Sequence, residues 1–153
     1  MDKERLFQRI EKEIDSVLTE EQSPKLARKK ICEILSKLSG YDWVGFYVAD
    51  KEKKLLRLDQ FVGEPTEHVG IPFGKGICGQ SAESESTFLV PDVSKESNYL
   101  ACSLKVKSEI VIPIFKSGIF VAQLDIDSHQ KSNFGTDDRK FLERICEKIS
   151  ILF

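Results

Sequence analysis

The chain has 153 residues, the length of one domain with a single hydrophobic core. Hydrophobic residues make up 41% of it and charged residues 31%, and 23 basic against 25 acidic residues leave a formal net charge of −2. This balance excludes the basic surface typical of nucleic-acid-binding proteins, and no apolar run is long enough to span a membrane. Because the charged N-terminus is also unlike a signal peptide, we expect a cytoplasmic protein with reduced thiols.

Two helices are predicted at the N-terminus. Apolar residues at helical spacing predict the first over residues 3–19. Ser23 and Pro24 are a typical cap and first-turn pair for the second, and Gly40 is expected to end it.

The pattern changes to that of strands at Trp43. WVGFYVAD and LLRLDQFVG, joined by the polar turn KEKK, predict a hairpin, and HVGIPF predicts a further short strand. GKGICGQSAES is typical of a loop that leads into a short helix.

The second half of the chain continues with strands and one helix. TFLVPD predicts an edge strand, and residues 94–107 are interpreted as mostly loop. SEIVIPIF and GIFVAQLDID predict two long strands joined by a tight turn. Thr136, Asp137 and Asp138 are predicted to cap a final amphipathic helix.

This order of elements predicts an α+β fold. One antiparallel sheet would carry helices packed on one face and ligand-pocket loops on the other. We expect a single domain over residues 1–153, with N-terminal helices in 1–40, sheet and pocket loops in 41–135, and the C-terminal helix in 136–153.

The four cysteines differ in their surroundings. Cys32 and Cys146 lie in apolar helical stripes, where packing is the expected role. Cys102 lies in a polar stretch with no apolar period, unlike these two, and Cys78 fits either a packing or a chemical role. No CxxC pair is present, and with two histidines the spacing predicts no structural zinc site.

Three carboxylates are candidates for acid–base chemistry. Asp125 and Asp127 are two apart on one predicted strand, so their side chains share a face, and Glu109 begins the preceding strand. Crowding and burial would keep such a group protonated at neutral pH. Without further context, a solvated strand end is the preferred explanation of Asp125 and Asp127, and half of a weak cation site is an alternative. An exposed Glu109 at the start of a strand is unremarkable, Trp43 fits a core role, and His68 fits a surface position.

Residues 30–153 carry a set of motifs that resembles a GAF domain, and within that fold the free methionine-(R)-sulfoxide reductases. The motifs are WVGFY at 43–47, IPFGKGICG at 71–79, VPDV at 90–93, LACS at 100–103, KSEIVIPIF at 107–115 and LDIDS at 124–128.

The resemblance implies roles for individual residues. Cys102 would be the nucleophile, with Glu109 and Asp127 as catalytic carboxylates and Cys78 as the second, resolving cysteine. The substrate, free methionine sulfoxide, would be bound by Trp43, Tyr47, Asp92, Glu109, Asp125 and Asp127. The resemblance also implies a homodimer recycled by an external thiol or a thioredoxin-like protein, with no cofactor and no metal.

The chain departs from the pattern of these reductases in the loops. His68 occupies the position of their usual third, resolving cysteine. Asn98 and Tyr99 replace a glycine-histidine pair, and Ser103 replaces an acid. Cys78 is therefore the resolving candidate in this sequence.

Two other functions stay open at this point. One is a non-catalytic GAF module that binds a small molecule or senses redox state in signal transduction. The other is direct oxidation of Cys102 by peroxide, as in thiol-based sensing.

Overall fold

The structure, a computed structural model, describes residues 2–100 and 104–153. Its helices are α1 (Lys3–Glu20), α2 (Pro24–Leu35), α3 (Gly76–Ser84) and α4 (Thr136–Ile149), with short 3-10 turns at Val93–Lys95 and Ser150–Leu152. Its strands are β1 (Trp43–Asp50), β2 (Leu55–Val62), β3 (Gly70–Pro72), β4 (Phe88–Val90), β5 (Ser108–Lys116) and β6 (Ile119–Ser128).

The strands form one antiparallel sheet in the order β3-β2-β1-β6-β5-β4. The predicted hairpin β1–β2 and the predicted edge strand β4 are confirmed. Ser117 and Gly118 join β5 to β6 with φ of 53° and 78°, values typical of the two-residue type I′ turn that matches strand twist. The long strands β1 and β6 are neighbours at the centre, so each pairs with a strand on both of its edges.

Helices α1, α2 and α4 pack on one face of the sheet and form the larger hydrophobic core with it. Each helix presents one apolar stripe, and the stripes supply Phe7, Ile31 and Phe141 among others. Asp2 caps α1 by accepting a hydrogen bond from the Arg5 amide at 2.9 Å, and Ser23 caps α2 as predicted. The predicted α+β architecture is confirmed.

One predicted helix boundary is wrong. Helix α2 ends at Leu35 and not at Gly40, because the amides of Lys37 and Leu38 donate to carbonyls three residues earlier in the chain. Gly40, with φ of +77°, instead lies in the turn that leads into β1. Helix α4 begins at Thr136 as expected, and Asp138 contributes to its cap by accepting a hydrogen bond from the Gly135 amide at 2.9 Å.

The opposite face of the sheet carries α3 and the loops around it, as expected. A second apolar cluster forms here, and it includes Trp43, Tyr47, Ile77, Cys78 and Val111. Among the described residues, no helix is long and apolar enough to cross a membrane. The buried carboxyl groups of Glu109, Asp125 and Asp127 are enclosed between this face and α3.

Candidate active site

The register of the sheet places three carboxylates on the face that α3 covers. Glu109 on β5 lies directly opposite Asp127 on β6, and Asp127 also faces Trp43 on β1. Asp125 occupies the next row on the same face, because side chains alternate along a strand. Glu109 is 5% exposed, and Asp125 and Asp127 are each 1% exposed. The interpretation of these acids as solvated strand ends is therefore wrong.

Helix α3 brings a thiol against the carboxylates. The thiol of Cys78, a residue 5% exposed, donates a weak hydrogen bond to Glu109 Oε2, with 3.9 Å between sulfur and oxygen. One ligand atom from each of Cys78, Glu109 and Asp125 lies within 4.8 Å of the other two. Such a set of one thiol and two carboxylates could hold a metal ion as well as a polar substrate.

A small cavity lies beside this cluster. Its volume is about 10 Å³, the room that one water molecule or one ion needs. Tyr47 lines it and donates from its hydroxyl to the His68 carbonyl at 2.9 Å. The other lining residues are His68, Ile71, Lys75, Gly76, Ile77, Cys78, Leu100, Glu109 and Asp125.

Burial raises the pKa of all three carboxyl groups. For Glu109 the pKa lies well above its ordinary value, because burial and then the charges of Asp125 and Asp127 oppose ionisation. Burial and the charge of Asp125 likewise raise the pKa of Asp127 far above the usual range. Burial also raises the pKa of Asp125, but hydrogen bonding with Glu109 and Cys78 opposes the rise. Hydrogen bonding thus favours the ionised form of Asp125, whereas the neighbouring negative charges favour the protonated forms of Glu109 and Asp127.

The same surroundings suppress ionisation of Cys78. Burial, followed by the charges of Asp125 and Glu109, raises the pKa of its thiol well above the ordinary value. Because the thiolate is the reactive form, Cys78 in this arrangement is a weak nucleophile.

Trp43 forms the aromatic border of the site. Its indole NH donates to the Glu64 carbonyl at 3.0 Å, and its ring stacks on Phe61 at 5.5 Å and on Tyr47 at 6.4 Å. A Cβ on Gly45 would lie 2.4 Å from the Trp43 ring, so the glycine leaves the space that the ring occupies. Trp43 therefore packs in the second core cluster while it lies next to Asp127.

The structure brings together only part of the predicted site. Cys78, Glu109, Asp125, Asp127, Trp43 and Tyr47 share one face of the sheet or the helix above it. Asp92 does not line the described cavity: it accepts hydrogen bonds from the Ser94 amide at 3.0 Å and hydroxyl at 2.7 Å and pairs with Lys131. Cys102 lies outside the described residues.

Two further expectations concern cysteine and histidine. Cys32 and Cys146 are buried in the helix-side core, which confirms their predicted packing role. His68 is half-buried and lines the cavity, so its interpretation as a simple surface residue is wrong.

Two polar residues of the site were not found by sequence reasoning. Gln123, fully buried, donates to the Cys78 carbonyl at 3.2 Å and fastens α3 to β6. It lies two residues before Asp125 on a strand whose inner face is otherwise expected to be apolar, and that was the available signal. Asn98 accepts from the Gly76 amide at 2.8 Å and donates to the Gly74 carbonyl at 2.7 Å, which holds the start of α3.

Comparison with known proteins agrees with this geometry. The GAF domain family matches residues 26–153. The chain belongs to the GAF domain family. It is 36% identical over 95% of its length to GAF domain-containing protein A of Dictyostelium discoideum, of which it covers 90%.

The GAF chain is also related to free methionine-R-sulfoxide reductases. It is 39% identical to that of Saccharomyces cerevisiae over 111 residues, which are 71% of this chain and 61% of the yeast protein. The structure of the Neisseria meningitidis reductase in complex with its substrate superposes with a TM-score of 0.94 at 32% identity, covering 100% of this chain and 91% of that one. The resemblance inferred from the motifs is confirmed at this level.

Proposed function

We propose that this GAF protein reduces free methionine-(R)-sulfoxide to methionine, with thiols as the reductant. The proposal is supported above all by one observation, the enclosed group of Glu109, Asp125 and Asp127 under α3 in a chain related to such reductases. A sulfoxide oxygen needs a proton as it leaves sulfur, and carboxyl groups with raised pKa values can supply it at neutral pH.

The first step would transfer the oxygen to a cysteine. The Cys102 thiolate attacks the sulfoxide sulfur, Glu109 or Asp127 protonates the oxygen, and the oxygen passes to the cysteine as a sulfenic acid while methionine leaves. Asp125, whose ionised form is favoured by hydrogen bonding with Glu109 and Cys78, is suited to the ammonium group of a free amino acid. Trp43 would border the methyl group. Since the cavity is smaller than methionine sulfoxide, the lining side chains have to move when substrate binds.

The second step would regenerate the thiol. A Cys78 thiolate attacks the sulfenic sulfur, the hydroxyl leaves as water with one proton, and a disulfide remains. An external dithiol of the thioredoxin type then reduces this disulfide and is itself oxidised. The raised pKa of Cys78 implies that this step is slow until carboxylates move away or the thiol becomes solvated. A homodimer is part of the proposal, and light scattering after size-exclusion chromatography measures it.

The same burial of Cys78 favours one alternative, a non-catalytic GAF module for a small molecule or for redox sensing. A weakly nucleophilic second thiol and a histidine at position 68 both reduce the capacity for turnover. This alternative predicts binding without chemistry.

Turnover with dithiothreitol and racemic free methionine sulfoxide tests the proposal. We expect loss of the R isomer alone, abolished in Cys102→Ser and slowed about 100-fold or more in Glu109→Gln. Cys146→Ser is the matched control, since it removes a buried thiol from the opposite face of the sheet and leaves turnover unchanged. Failure of well-folded protein to consume either isomer would refute the reductase and favour the binding module.

A further inference from the structure

We propose that Cys78, Glu109 and Asp125 form a binding site for a borderline-soft divalent cation of the Zn²⁺ type. This function goes beyond sulfoxide reduction, and it does not need Cys102. Its ligands would be the Cys78 sulfur and one oxygen from each carboxylate. The chemistry of this donor set is that of zinc, because thiolate sulfur selects Zn²⁺ over the oxygen-seeking Mg²⁺ and Ca²⁺.

The distances fit a tetrahedral ion after small side-chain rotations. Tetrahedral zinc with one sulfur and two oxygen ligands holds its donor atoms about 3.5 Å apart. Cys78 Sγ and Glu109 Oε2 are 3.9 Å apart, and the whole set lies within 4.8 Å. All three residues line the cavity of about 10 Å³, which has room for one ion and not for a larger ligand.

Unpartnered oxygens provide the second, independent observation. Asp125 Oδ1 is buried at the cavity and has no hydrogen-bond partner among the described residues. Both carboxylate oxygens of Asp127, two residues further along β6 on the same face, are also buried without a hydrogen-bond partner among the described residues. Buried carboxyl oxygens are normally hydrogen-bonded, and a cation would satisfy the lone pairs that the protein leaves unused.

The distribution of charged residues around the three carboxyl groups also favours a bound cation. Within the described residues, the ion pairs of Lys and Arg are made with other acids, and none is made with Glu109, Asp125 or Asp127. On binding, the Cys78 thiol and the protonated carboxyl groups release their protons to the buffer, and sulfur and oxygen donate electron pairs to the ion.

Titration of the reduced protein with Co²⁺, in a phosphine reductant that does not compete as a dithiol, tests the site. We expect a thiolate-to-metal charge-transfer band that saturates at one ion per chain and is removed by Zn²⁺ but not by Mg²⁺. Cys78→Ser should lose the band. Glu109→Gln, which preserves side-chain shape, should keep a band but weaken binding about 10-fold or more.

A control variant separates this site from other thiols. Cys146→Ser, which removes a thiol from the opposite face of the sheet, should keep both band and affinity. The proposal is overturned by absence of binding to folded wild-type protein, by a band that persists in Cys78→Ser, or by loss of the band in Cys146→Ser. If Cys78→Ser does not fold, undiminished affinity in Glu109→Gln overturns it instead.

We further expect Zn²⁺ to inhibit sulfoxide reduction, since the ion and methionine sulfoxide would both bind to Glu109 and Asp125. This expectation alone rests on the proposed function. The cobalt titration contains no sulfoxide, so failure of the metal site and failure of the reductase are distinguished.

Discussion

Replacement of Asp127 by asparagine should stabilise the protein, and increasingly so as the pH rises. Asp127 is 1% exposed, and neither of its carboxyl oxygens has a hydrogen-bond partner among the described residues. Burial and the charge of Asp125 raise its pKa well above the ordinary value of 3.8. The folded chain therefore holds a proton that the unfolded chain has released. The asparagine side chain would keep the shape of the carboxyl group and remove this titration.

The magnitude follows from linkage. Where the folded state binds one more proton than the unfolded state, the free energy of unfolding falls by about 1.4 kcal/mol for each pH unit. The window begins near the ordinary pKa of Asp127 and ends at its raised folded-state pKa. Stability from this group is complete below that window and is lost as the pH rises through it. Within that window the variant should thus gain about 1.4 kcal/mol relative to wild type for each unit of pH.

Urea unfolding at several pH values, followed by tryptophan fluorescence and circular dichroism, measures the effect. Asp92→Asn is the matched control: hydrogen bonds from Ser94 lower the pKa of Asp92, so that substitution should destabilise the protein instead. A stability difference between wild type and Asp127→Asn that does not change with pH would show that Asp127 is ionised in the folded protein. The assignment of a retained proton would then be wrong.

Three further predictions concern the site and its support. Reductase activity should fall as the pH rises through the raised pKa of Glu109, because the proton donor is lost, and a pH–rate profile measures this. Peroxide should oxidise the thiols of Glu109→Gln as it oxidises those of wild type, which a thiol titration checks. Tyr41→Phe should cost about 1–3 kcal/mol in urea unfolding, because it removes the 2.7 Å hydrogen bond to the fully buried Asp138. Gly45→Ala should cost a similar amount, about 1–3 kcal/mol, and shift tryptophan fluorescence, since the new Cβ would lie 2.4 Å from the Trp43 ring. Unchanged stability in Tyr41→Phe would contradict the role given to its hydrogen bond, and unchanged stability in Gly45→Ala would contradict the close packing of Trp43 on Gly45.

Local patterns were sufficient for most elements of the fold. The change from helical to alternating spacing at Trp43 located β1, and the polar turns on each side of the long strands located both hairpins. The end of α2 was predicted less accurately. Helix α2 ends at Leu35 because the next amides donate to carbonyls three residues earlier, and no residue type at this point in the sequence indicates that change in hydrogen bonding.

The candidate site was predictable in part. The spacing of Asp125 and Asp127 was enough to place both carboxylates on one face, because the period of a strand is two. The motifs were enough to add Glu109 and Cys78. Gln123 was overlooked, although the same period of two places it on the face of Asp125 and Asp127, because a neutral amide is not by itself a candidate for acid–base chemistry.

By itself, then, the sequence determined the type and order of the elements, the family, and which residue types are available for chemistry. Only the tertiary structure decided that Glu109 lies opposite Asp127, that α3 covers them with Cys78, and that Asp92 points to Lys131 instead. The physical reason is that pKa values, ligand geometry and thiol reactivity depend on burial and on contacts between strands and helices far apart in the chain. Such contacts arise when separate strands pair and helices pack on the sheet, and the spacing of residues within one element does not determine them.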